Sequence, residues 1–61
     1  MDWKESLKQA VGTINGKPAI AGIDETRRII EVDSEVPGAE VRRIERMVAG
    51  LVTGYTVRQL A

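Results

Sequence analysis

The sequence predicts a small α+β domain in α-β-β-α-β order, a three-stranded, mainly antiparallel sheet with two helices on one face. Three observations predict it. Apolar residues recur at helical spacing in two stretches, they alternate at strand spacing in three others, and Gly, Pro and Asn punctuate the boundaries between them. At 61 residues the chain is read as one domain, 1–61, with no internal repeat, low-complexity tract or linker.

From Asp2 to Val11 the pattern is helical. Trp3, Leu7, Ala10, Val11 and Ile14 fall on one stripe, with Lys4, Glu5, Lys8 and Gln9 off it. Asp2 is placed to cap the first turn, and Glu5 three residues on completes a capping-box pair. The end has two readings: Gly12 as the C-terminal cap, or a longer helix to Ile14 that stops at Asn15-Gly16. Asn15-Gly16 is also a good hairpin dipeptide, but the helical stripe before it favours a cap or simple turn.

Lys17 to Val32 reads as a β-hairpin. Ile20 and Ile23 lie in its first arm, Arg28, Ile30 and Val32 alternate in its second, and Asp24-Glu25-Thr26 supplies turn chemistry. Pro18 suits the start of a strand, where no ladder donor is needed. Ser34 to Gly38 is a connection, since Pro37 disfavours helix at Val36 and is itself at home in a first helical turn.

From there to about Val52 lies the clearest helix. Val41, Ile44, Met47, Val48, Leu51 and Val52 form one face; Arg42, Arg43, Glu45 and Arg46 form the other, and Gly54 is a natural stop. Tyr55 to Leu60 alternates as a final strand, with Tyr55 and Val57 on one side and Thr56, Arg58 and Leu60 on the other. The capping-box spacing of Thr56 and Gln59 allows a terminal helical turn instead, but six residues do not sustain a helix alone. The simplest antiparallel arrangement of the three strands places the first in the centre. It leaves the sheet face opposite the helices, and at least one edge, open to a second copy.

Composition narrows the function classes. A chain of this length buries only about 60% of the surface its unfolded state exposes, so a partner is a reasonable support. Disulfides are excluded by the lack of cysteine, and a structural metal is disfavoured by the lack of histidine. The cysteine-free composition suits a reducing compartment, there is no signal-like start, and Met47 to Tyr55 falls far short of the ~20 residues a spanning helix needs. The expectation is a cytoplasmic protein that engages no membrane.

Catalytic types are scarce. Nucleophilic catalysis needs an activated Ser, Thr or Cys, yet His and Cys are missing and neither Ser6 nor Ser34 sits in a glycine-rich elbow. Glu31, Asp33 and Glu35 alternate as a cation site would require, but they run from a strand end into a loop, where acidic residues are simply solvated or favour the next helix. Neither Gly12 to Gly16 nor Gly50 to Gly54 has the ending or context of a phosphate loop; the second, a G-x-x-x-G, marks close packing plus a cap. The sequence therefore predicts no enzyme, no cofactor, no metal and no small-molecule substrate.

Two interaction readings remain. The first is a non-enzymatic protein-protein interaction or assembly module, homo-oligomeric, with Trp3, Tyr55, Val57 and Leu60 as candidate interface residues. Trp3 belongs on the first-helix stripe, as core or as an interface anchor. The second is a nucleic-acid-binding accessory or regulatory protein that uses Arg42, Arg43 and Arg46, with Arg27, Arg28 and Arg58 as further contacts. Nine acidic and nine basic residues cancel, and only Tyr55 is available to stack on a base, so the first reading leads. A solvated helix face, with Glu45 pairing to its arginine neighbours, is the plain alternative for these arginines. No stretch resembles a known protein family closely enough to name one.

Overall fold

The computed structural model describes residues 2–61. Helix α1 (Trp3–Val11) is capped by Asp2, whose Oδ1 accepts from the Lys4 N–H at 3.3 Å. It stops at Gly12, where φ is 77° and the N–H still reaches the Lys8 carbonyl. The shorter of the two helix readings is the one observed, because that left-handed φ suits glycine and turns the chain out of the helix.

Beyond Gly12 the chain departs from the expected simple turn. Thr13–Ile14 (β1) and Lys17–Pro18 (β2) form their own antiparallel hairpin, with Ile14 opposite Lys17 and Thr13 opposite Pro18. Asn15 and Gly16 are its two-residue turn, at φ 52° and 80°, the pair of left-handed conformations that matches strand twist. The expectation of a cap at Asn15-Gly16 is corrected: once the helix ends at Gly12, Thr13 and Ile14 are free to extend. Pro18 occupies a non-hydrogen-bonded pair of the ladder, and the next residue, Ala19, resumes it by donating to the Gly12 carbonyl at 3.1 Å.

The main sheet holds β3 (Ile20–Asp24), β4 (Ile29–Val32) and β5 (Thr56–Gln59) in the order β3-β4-β5. Between β3 and β4, Asp24 Oδ1 accepts from the N–H groups of Thr26 and Arg27, both at 3.0 Å, and Arg28 closes the turn at φ 58°. The β3-β4 pairing is antiparallel with an irregularity between Ile20 and Gly22, whereas β4-β5 is parallel.

The expected single, mainly antiparallel sheet with its first strand central is therefore corrected. Among the described residues there are two sheets, the larger is mixed, and the central strand is β4, the second arm of the long hairpin. Two physical reasons account for this. β3 is broken by its bulge and by Gly22, while β4 is an unbroken Ile-Ile-Glu-Val run suited to ladders on both sides. Helix α2 (Gly38–Leu51), about 21 Å long at 1.5 Å per residue, then carries the chain back to the start of β4, so β5 enters in the same direction.

The core is one cluster. Leu7 of α1 and Ile44 and Val48 of α2 pack with Ala19, Ile20, Ile30, Val32 and Val36, all of them buried. Because register partners share a sheet face, Ile20, Ile23, Ile30, Val32, Val57 and Gln59 face this cluster, and Asp24, Ile29, Glu31, Thr56 and Arg58 lie on the opposite side. Among the described residues no buried side-chain polar atom lacks a partner.

Candidate functional site

Strand β5 forms one edge of the main sheet. The Thr56 and Leu60 N–H groups donate to the carbonyls of Arg28 and Val32, each at 2.9 Å. Thr56, Arg58 and Leu60 thus turn their main-chain groups toward β4, and by alternation Val57 and Gln59 turn theirs outward. Alongside this edge, α2 and β5 bound an open groove of about 500 Å³ lined by Val48, Ala49, Val52, Tyr55 and Val57, with Glu45 at its polar side. An open strand edge beside an apolar groove is chemically suited to accepting another strand, the edge for main-chain bonds and the groove for alternate side chains.

The candidate interface residues divide between the two sides of β5. Trp3, Tyr55 and Val57 are half-buried and pack against the core. Trp3 and Tyr55 meet edge to face, ring centroids 5.0 Å apart, tying the start of α1 to the start of β5. Leu60 is half-buried just beyond β5, held by its bond to Val32. The sheet face opposite the helices is largely polar: Arg58 lies 3.7 Å from Glu31 there, between neighbours on adjacent strands.

The arginines do not converge as one set. Arg43 forms a two-pronged pair with Glu40, at 3.0 and 2.8 Å, which holds the Glu40 carboxyl below the usual range and pushes the guanidinium higher. Arg27 reaches Asp24 at 3.9 Å, and Arg58 is taken by Glu31. Among the described residues Arg28, Arg42 and Arg46 have no ion pair, and neither has Glu45. The expected partner of the helix arginines is therefore corrected from Glu45 to Glu40, one turn before Arg43. Arg46 instead borders a second groove, between α1 and α2, with Ala10, Met47 and Leu51; Leu51 is 43% exposed.

The acidic stretch is tied up in fastening the fold. Lys17 bridges Asp33 and Glu35, and the Asn15 side-chain amide donates to Glu35 at 2.6 Å. Lys17 first, then Asn15, lowers the Glu35 carboxyl's pKa, and Glu35 in turn raises that of the Lys17 amine. No cluster of three or more potential metal ligands occurs among the described residues.

Sequence reasoning missed this clasp between the Asn15-Gly16 hairpin and the Asp33–Glu35 turn, although the Asn-Gly signal was present. It also missed the role of Gln59, for which no local signal exists.

The chain matches no known protein-family model, no curated protein and no solved structure. Among the described residues no helix is long and apolar enough to cross a membrane.

Proposed function

We propose that this chain is a small, non-enzymatic protein-protein assembly module of the cytoplasm that associates with itself through the β5 edge. The observation that carries the reading is the pairing of outward main-chain groups at Val57 and Gln59 with the apolar α2-β5 groove beside them. A long-range ladder left open next to apolar surface is the kind of edge that recruits another strand. The balanced charge supports self-association, since two copies meet without net repulsion.

Sedimentation equilibrium across a wide concentration range at physiological salt tests it. The wild-type chain is expected to form a dimer, and Val57→Lys, which sets a charge at the groove, to stay folded and become monomeric. A Val57→Lys variant that remains folded and fully associated moves the interface elsewhere.

A second reading, nucleic-acid binding, draws on one specific observation. Arg42 and Arg46 lie one turn apart on the exposed face of α2 with no acidic partner among the described residues. It predicts salt-sensitive binding that weakens when Arg42, Arg43 and Arg46 are all replaced by Ala. Unchanged affinity in that triple variant removes it. The zero net charge places it second.

A further inference from the structure

The register of the sheet specifies how a second copy would dock. On the helix side, Ile23 pairs with Ile30 and Ile30 with Val57, so one straight row of aliphatic side chains crosses the sheet and ends at the open edge. The parallel row through Ile20 and Val32 ends instead at Gln59, whose amide is bound to the carbonyls of Asp33, Ser34 and Val36. Only the first row presents apolar surface to a newcomer.

Resting on the assembly reading above, we infer that the occupant of the β5 edge is β5 of a second copy, antiparallel, with Val57 on the two-fold axis. In this register Val57 and the second copy's Val57 exchange both main-chain bonds, as outward-facing residues must. The aliphatic row then runs unbroken through six strands, from Ile23 of one copy to Ile23 of the other. On the opposite face, Arg58 comes to lie across from the second copy's Thr56, so each guanidinium is flanked by its own Glu31 on one side and a hydroxyl on the other. Sliding by one pair, to set Val57 against Gln59, breaks the aliphatic row. It also sets Arg58 directly against Arg58, a like-charge pair that destabilises a sheet. The isologous geometry follows from self-complementarity of one patch, the requirement of any two-fold dimer.

The absence of cysteine makes the register directly readable by cross-linking. Thr56 and Arg58 are both exposed, so Thr56→Cys and Arg58→Cys are compatible with folding. Opposed strand residues fall within the Cα separation a disulfide tolerates. Under mild oxidation, an equimolar mixture of the two single variants is expected to give a covalent heterodimer, while neither variant alone gives more than trace product. Efficient cross-linking of Thr56→Cys with Leu60→Cys, which face each other in the slid register while both Arg58 side chains are kept, would establish that register and overturn the inference. Association of the wild-type chain by sedimentation with no cross-link in any mixture would place the interface away from β5, again overturning it but leaving assembly intact. A wild-type chain that stays monomeric throughout overturns both.

Discussion

The side-chain amide of Gln59 donates to the main-chain carbonyl of Val36 at 2.6 Å, joining the end of β5 to the turn that launches α2. The same nitrogen lies 3.2 Å and 3.3 Å from the Asp33 and Ser34 carbonyls. Three carbonyls of the turn, of which Asp33's also accepts from the Val36 N–H at 3.2 Å, are thereby gathered by one donor from the far end of the chain.

Replacing Gln59 should therefore cost more than an edge-strand surface position normally does. Gln59→Ala is expected to destabilise by about 1–2 kcal/mol, the range for losing partners of part-buried polar groups. Gln59→Glu should cost at least as much at neutral pH, because a carboxylate cannot donate and would face carbonyl oxygens. Urea unfolding of the two variants against wild type measures this; a Gln59→Glu protein as stable as wild type would refute the account.

The turn at Asn15-Gly16 and the turn at Arg28 predict opposite responses to substitution. Gly16→Ala, at φ 80° with open space around the new Cβ, is expected to lose about 1 kcal/mol through backbone strain alone. Arg28→Gly, at φ 58°, relieves the same kind of strain and should be neutral or slightly stabilising despite the entropy cost of glycine. Thermal midpoints of the two variants should move in opposite directions or differ by several degrees.

Ile44 and Leu7 are fully buried where the two helices meet the sheet. Truncation of either to Ala is expected to cost about 2–5 kcal/mol. A chain this short has total stability of similar size. Both variants should be largely unfolded at 37 °C by circular dichroism, whereas truncating the exposed Leu51 should leave the fold intact.

Stability should be flat around neutrality and fall at both extremes of pH. Lys17 and Asn15 lower the Glu35 pKa and Arg43 lowers that of Glu40, so what these carboxylates contribute is present above the ordinary carboxylate range and is lost as pH falls through their folded values. Hydrogen bonds from Lys4 to Glu25 and from Lys17 to Glu35 raise the two amines, whose contribution is full below the ordinary lysine range and is lost as pH rises through their folded values. Lys17 and Glu35 are exposed and Lys4 and Glu40 only half-buried, so the slopes should be shallow and should flatten with added salt. Melting curves across pH at low and high salt test both points.

Much of the local structure was legible in the residues. The α2 face of Val41, Ile44 and Val48 follows directly from 3.6-residue periodicity, and the β5 alternation placed Tyr55 and Val57 on one side, where both pack on the core. The Asp24 turn was legible because its carboxylate supplies the bonds that close it. The Asn15-Gly16 hairpin was missed because a helical stripe reaching Ile14 competed with it, and the deciding feature was the left-handed φ at Gly12, which marks the boundary.

The candidate site was legible only in its parts. That the last strand carries interface residues could be proposed from Tyr55, Val57 and Leu60, but not that its open edge lies beside α2. Side-chain periodicity is a property of a few consecutive residues, and so the sequence alone settled where most helices and strands occur and which of their faces are apolar. Which strand is central, and whether β5 runs parallel or antiparallel, depends on where a helix about 21 Å long returns the chain and which ladder is regular enough to accept it. Those are energies of residues far apart in sequence, and they become defined only when the two helices and the sheet close on one core.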